Sequence, residues 1–215
     1  MSNAPVWLFD LDNTLHNASP HIFPHINRSM TAYLERHLSL SRDEANALRM
    51  HYWQRYGATL LGLMRHHDTD PHHFLRETHR FDRLHELMVF ERALKSLLVR
   101  LPGHKIVFSN GPQAYAEAVL DLMGIRRLFD DVVGIEALDL KPKPSMAAYR
   151  QILRRYRLNP HRCIMVEDTA ANLRTAKQLG MRTVLVGRSS RHPAHVDIKI
   201  SSIIKLRRAT SHLIA

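Results

Sequence analysis

The segment VWLFDLDNTL, residues 6–15, runs a short apolar stretch directly into two carboxylates, Asp10 and Asp12, followed by Asn13 and Thr14. The apolar residues before Asp10 read as a buried strand of roughly four to five residues. Two acids at the end of such a strand are costly unless a cation or strong donors replace their lost hydration. Carboxylates, carbonyls and water suit a hard cation such as Mg²⁺. The segment therefore predicts an acidic metal site at a strand end, with a carboxylate able to act as nucleophile.

Further apolar runs follow this first one: KIVFS at 105–109, DVVGI at 131–135, CIMVE at 163–167 and TVLVG at 183–187. Helical patterns separate the later ones. Between Gln113 and Met123 the face Tyr115, Ala118, Val119, Leu122 repeats, with Gly124 as a stop. After Pro144 the repeat is Met146, Tyr149, Leu153, Tyr156, and after Ala170 it is Leu173, Ala176, Leu179 before Gly180. Strands alternating with helices imply βαβ units and a parallel sheet. Near-continuous apolar strands fit burial on both faces. The expected fold class is α/β, a three-layer Rossmann-like parallel sheet core with an inserted helical cap domain.

The insertion is residues 16–95, where no strand signal appears; residues 1–15 and 96–215 form the expected core. Ser41 and Glu44 stand at capping-box spacing ahead of Ala45, Leu48 and Tyr52. Leu60, Leu61, Leu63 and Met64 extend the apolar face past Gly57. A helical lid over a carboxylate site would exclude water and select substrates. The insertion holds 11 of the 16 histidines, including His66-His67 and His72-His73. Adjacent histidines on a helix diverge, and no Cys accompanies them, so exposed polar histidines are expected rather than a zinc site.

Composition narrows the function. Hydrophobic content of 45% and charged content of 24% fit an ordered globular chain. No apolar run approaches the roughly 18 residues that span a bilayer. The start MSNAPVWLFD lacks a basic n-region, so no signal peptide is expected. The single Cys163, in an apolar run, reads as a small core hydrophobe in a reducing, cytoplasmic setting. Lys and Arg outnumber Asp and Glu by 31 to 20. Residues 182–215 carry seven basic residues against Asp197 alone. The net charge of +11 attracts anions such as phosphate esters. No zinc finger, helix-turn-helix or RNA-binding aromatic motif is present, which makes nucleic acid an unfavoured partner.

In an open parallel sheet, ligands bind beyond the carboxyl ends of the strands. Strand ends there carry Asp10, Ser109-Asn110-Gly111 and Glu167-Asp168, and KPKP at 141–144 precedes a helix. Together these can run phosphoryl transfer. Asp10 would attack phosphorus and form an aspartyl-phosphate. Asp12 would protonate the departing oxygen and later take a proton from water. Mg²⁺ would be held by the Asp10 carboxylate, the Asp12 backbone carbonyl and Asp168. Ser109, Asn110 and nearby backbone N–H groups would bind phosphoryl oxygens, and a lysine would balance the charge. Glu167 reads as a supporting acid. Asn13, Thr14 and Asn172 are expected to shape loops by hydrogen bonding.

DxDxT, a strand ending in Ser, Lys-Pro, and an acidic pair after a strand, in this order, resemble the haloacid dehalogenase-like (HAD) superfamily. The resemblance spans most of residues 5–200 and implies a helical cap directly after DxDxT. It also implies a phosphatase, because members resembling dehalogenases lack the second Asp. The family's lysine is followed by proline, with an aromatic six positions on. Lys143-Pro144 with Tyr149 fits that spacing and Lys141-Pro142 does not, so Lys143 is the expected active-site lysine.

A narrower resemblance lies in DLDNTL, YGATLLGL at 56–63, FSNGP and VEDTAANL, which together look like the pyrimidine 5′-nucleotidase branch. It implies a nucleoside 5′-monophosphate as substrate. His16 departs from the tyrosine usual there, and Gly57, Thr59 and Gly62 are open to a plain helix-packing reading. The alternatives are a phosphatase for another small ester, such as a sugar phosphate or phosphoglycolate, and a nucleic-acid-binding protein with a vestigial site.

Overall fold

Val6–Phe9 (β1) is buried along its whole length because strands flank it on both sides. In the computed structural model, which describes residues 4–211, five more strands follow. They are His104–Phe108 (β2), Asp131–Val133 (β3), Cys163–Glu167 (β4), Arg182–Val186 (β5) and Ile198–Ile200 (β6). All pairings are parallel and the order is β3-β2-β1-β4-β5-β6. With the helices that flank it, this sheet is the three-layer Rossmann-like α/β fold. The chain builds outward from β1 to β2 and β3, then returns to the other side of β1 with β4. That reversal opens a crevice at the carboxyl ends of β1 and β4, where such sheets bind ligands.

β6 was not visible as a strand in the sequence, being three residues with a lysine at its centre. It closes one edge of the sheet beside β5, and the basic C-terminal stretch continues as ordered helical turns at Ile203–Lys205 and Leu206–Ala209. The signal-peptide expectation rests partly on Met1–Asn3, which lie outside the described residues. No helix among the described residues is long and apolar enough to cross a membrane.

The chain divides into two compact units. Ala18–Met88 forms one, and the chain up to Asn17 and from Val89 onward forms the other. The helical unit therefore ends ahead of the boundary drawn at 95. It contains α1 (Ile22–Leu38), α2 (Arg42–Tyr56), α3 (Thr59–His66), α4 (Pro71–Thr78) and the short α5 (Leu84–Leu87). Ser41 and Glu44 form the expected capping box at the start of α2. Gly57 stops α2 in the left-handed region at φ 83°, so Leu60–Met64 belong to a separate helix rather than extending α2. Gly62 lies against Tyr52, where an added Cβ would come within 2.2 Å of the ring, so helix packing requires this glycine.

Of the paired histidines, His66, His67 and His72 are exposed, as expected, and His73 is half-buried; three of the four hydrogen-bond to tyrosines. Tyr52 and Tyr56 bond His67 and His66, each at 2.7 Å, and Tyr33 bonds His73 at 3.0 Å.

In the sheet-bearing unit, α6 (Leu94–Val99) precedes β2, α7 (Gln113–Leu122) joins β2 to β3, α8 (Met146–Arg155) precedes β4, and α9 (Ala170–Gln178) joins β4 to β5. The buried face of α7 is Tyr115, Ala116, Val119 and Leu120, while Leu122 is 46% exposed. The apolar stripe is thus rotated from the expected one, because the helix packs through i, i+1, i+4, i+5 positions. Cys163 is buried in the core with β1, Phe108 and Tyr149, as its apolar run suggested.

Candidate active site

Asp10 follows β1 directly, and its backbone N–H still pairs with Val166 of β4 at 2.9 Å. The sheet ladder therefore fixes the position of this carboxylate. Its two oxygens are held from opposite sides. Lys143 Nζ donates to Oδ1 at 2.7 Å, and the Thr14 hydroxyl donates to Oδ2 at 3.0 Å.

Lys143 reaches the same place from the loop before α8. It also donates to Glu167 Oε2 at 2.8 Å, and its ammonium lies 5.0 Å from the centre of the Phe108 ring. The loop is tied down by Asn110. Its amide donates to the Lys143 carbonyl at 3.0 Å and accepts from the Lys143 N–H at 2.8 Å. Lys141, two residues earlier, is exposed.

Asn110 was expected among the phosphate binders. One N–H and one oxygen lone pair of its amide go to the Lys143 backbone, so the side chain tethers that loop, while the amide has a second N–H beyond that bond. Ser109 is buried after β2, and its Oγ accepts the Gly111 N–H at 2.9 Å, which leaves its own O–H to donate elsewhere.

Glu167 and Asp168 end β4. Glu167 Oε1 accepts the N–H groups of Asp168 and Thr169, each at 3.2 Å. With Lys143 on Oε2, both its oxygens are committed. Asp168 is held by the Thr169 hydroxyl at 3.0 Å. Asp10, Glu167 and Asp168 each offer an oxygen, and these lie within 4.8 Å of one another.

The electrostatics follow from three acids around one lysine. Burial pushes the Asp10 carboxyl up to about 7, and Glu167 adds to this while Lys143 opposes it. Burial likewise raises Glu167 and Asp168 from their ordinary values. For Lys143, burial disfavours the charge, but Asp10 and Glu167 outweigh it and hold the ammonium above the ordinary lysine value. One lysine offsets one of three negative charges, so the donor set fits a hard divalent cation. Asp10, Glu167 and Asp168 are the side chains that could hold it; Glu167 already accepts three hydrogen bonds, against two on Asp10 and one on Asp168.

Asp12 sits beside this cluster, and its charge contributes to raising Asp10. Its Oδ1 accepts from the Tyr115 hydroxyl at 2.6 Å and lies 2.8 Å from His16 Nε2. The sequence points to neither contact, although it marks His16 as a departure from the tyrosine usual in the narrower resemblance. Tyr115 read as a core residue of α7, and His16 as the start of the insertion. The signals were its place in the first turn of the helix after Ser-Asn-Gly, and the i, i+4 spacing from Asp12 to His16.

The site residues expected from the sequence, Asp10, Asp12, Ser109, Asn110, Lys143 and Asp168, all belong to the sheet-bearing unit. Apart from the acidic group Asp10, Glu167 and Asp168, no cluster able to hold a metal occurs among the described residues.

Comparison with known proteins bears on this arrangement. A family model described as haloacid dehalogenase-like hydrolase matches residues 6–180. Over 212 residues the chain is 25% identical to a phosphoglycolate phosphatase of Pseudomonas putida, covering 92% of this chain and 74% of that protein. It is also 25% identical over 197 residues to phosphate metabolism protein 8 of Saccharomyces cerevisiae, covering 84% of this chain. The match spans only 60% of the yeast protein's length. Among solved structures, a HAD phosphatase from Thermococcus onnurineus superimposes with a TM-score of 0.68 at 21% identity, covering 95% of this chain and 96% of that one. CbbY from Rhodobacter sphaeroides, solved with phosphate, gives 0.67 at 20% identity over 94% and 96% of the two chains. These structural likenesses concern the fold.

Proposed function

The chain belongs to the haloacid dehalogenase-like hydrolase family, and from that premise we propose that it is a Mg²⁺-dependent phosphomonoester hydrolase working through an aspartyl-phosphate on Asp10. The observation that carries this reading is Asp12, a second carboxylate beside Asp10 held by two side-chain partners. A departing halide needs no proton, whereas a departing alkoxide does. A built proton donor next to the nucleophile therefore favours an ester oxygen as leaving group.

The residues divide the work as follows. Asp10 attacks phosphorus as the ester P–O bond breaks, and Asp12 gives its proton to the departing oxygen. Lys143 orients Asp10 and offsets its charge, and the free Ser109 O–H donates to a phosphoryl oxygen. Water then attacks phosphorus, Asp12 takes back a proton, and phosphate leaves with the Asp10 carboxylate restored. A magnesium ion held by Asp10, Asp168 and the Asp12 carbonyl would reduce repulsion between nucleophile and substrate.

For the substrate, we favour a pyrimidine nucleoside 5′-monophosphate, supported by the order of DLDNTL, YGATLLGL, FSNGP and VEDTAANL along the chain. A small ester such as phosphoglycolate is the second reading. It is favoured by the Pseudomonas relative, and by the packing and turn roles of Gly62 and Gly57, which account for both without a ligand. Net charge +11 suits either anion.

Assay of UMP, CMP, phosphoglycolate and sugar phosphates with and without Mg²⁺ tests both levels. Hydrolysis only with Mg²⁺, and a kcat/KM at least about tenfold higher for UMP or CMP, is expected. The reverse ranking would favour the small-ester reading, and no hydrolysis of any ester would overturn the function.

A further inference from the structure

We propose that Tyr115 and His16 are positioning residues that clamp one oxygen of Asp12, so that its proton is carried on the other and presented to the leaving group. This rests on the phosphomonoesterase reading above and deepens it. A carboxylate oxygen has two acceptor sites. On Asp12 both contacts fall on the same oxygen, Oδ1: the Tyr115 hydroxyl donates at 2.6 Å, and His16 Nε2, 2.8 Å away, donates in the tautomer that carries its proton on Nε2. With Oδ1 filled, a proton on the acid has only Oδ2 to occupy. The clamp thus fixes both the rotation of the carboxyl group and the oxygen that donates.

Two further features point to a built arrangement. Gly111 makes room for the Tyr115 ring, since an added Cβ would lie 3.1 Å from its Cδ1 and 3.3 Å from Ser109 Oγ. The His16 side chain is fully buried, and its Nδ1 has no hydrogen-bond partner among the described residues. Burying an imidazole with one nitrogen unbonded costs stability. An apolar residue would fill that space without the cost, so the bond to Asp12 is the gain that the histidine brings. The Asp12 side chain itself keeps 18% exposure, as a group that must meet substrate requires.

The step is a balanced proton transfer. As the P–O bond breaks, its electron pair goes to the ester oxygen, Asp12 Oδ2 supplies the proton, and alcohol leaves with Asp12 as carboxylate. Demand for that proton rises as the leaving alcohol becomes less acidic.

The test compares kcat/KM, which reports steps through alcohol departure, for 2,4-dinitrophenyl, phenyl and ethyl phosphates in the full-length protein with Mg²⁺. Tyr115→Phe is expected to lose about tenfold or more on ethyl phosphate and less than about twofold on the dinitrophenyl ester. Inhibition by inorganic phosphate should stay unchanged. Asp12→Asn should show the same tilt more steeply, and His16→Gln, which keeps a donor, a shallower one. An equal loss on every ester, or none, in folded Tyr115→Phe would overturn the clamp while leaving Asp12 as the acid. An equal loss in Asp12→Asn, or a parent inactive on all three esters, would overturn the clamp and the reading beneath it.

Discussion

Lys143 places its ammonium 2.7 Å from the Asp10 carboxylate, bringing together groups 133 positions apart in the chain. The contact is fully buried on the lysine side, and Glu167 shares the same ammonium at 2.8 Å. Lys143 is therefore the pivot of the charge balance in the crevice.

Lys143→Met removes that pivot and leaves buried acids without their partner. Unfolding by denaturant should show a loss of about 3 kcal/mol. Turnover should fall by roughly a thousandfold or more. Lys141→Met, at an exposed position, should change neither by a measurable amount.

Mg²⁺ is expected to raise the melting temperature of the native protein. At a concentration about a hundred times its Kd the stabilisation would be about 2.7 kcal/mol. Asp168→Asn should abolish the shift. Protons compete with the metal, because Asp10 is pushed up to about 7 by burial. Affinity measured by calorimetry should accordingly weaken as pH falls below that value.

The fold was largely legible because each central strand is a continuous apolar run ending in a polar residue. VWLF before Asp10 and CIMVE before Asp168 announce both their burial and their chemistry. β6 was hidden because Ile198–Ile200 is short and offers no run. Lys143 could be chosen over Lys141 only through a family spacing, since both sit in one KPKP loop. The hydroxyl of Tyr115 was illegible for a different reason. Helical periodicity reports which face is buried, and says nothing about a polar tip that reaches past the core to Asp12. The tether from Asn110 to the Lys143 backbone likewise depends on loop geometry that a Ser-Asn-Gly turn signal does not carry.

Cys163 tests the packing of the sheet. Burial pushes its thiol up to about 12, so it stays protonated at neutral pH. Labelling with iodoacetamide should be at least about a hundredfold slower in the native protein than in denaturant. Rapid labelling under native conditions would contradict the core placement.

Asp197 supplies an acid-sensitive contribution away from the active site. Burial acts to raise its carboxyl, but Lys177 and the Thr183 N–H and hydroxyl outweigh this and hold it below 3.8. A lowered folded value means that the group stabilises fully above the ordinary carboxylate value, and that this is lost as pH falls through the folded one. Asp197→Asn should therefore lower the melting temperature at neutral pH, and the difference from the parent should shrink as pH falls through the lowered folded value.

The most direct measurement is a rapid acid quench of the protein during turnover of a phosphate ester with Mg²⁺, followed by mass spectrometry of its peptides. A phosphoryl group on the peptide carrying Asp10, absent from inactive but folded Asp10→Asn, is the expected result. Turnover that proceeds undiminished in Asp10→Asn, or a phosphoryl group trapped on another residue, would contradict the central claim.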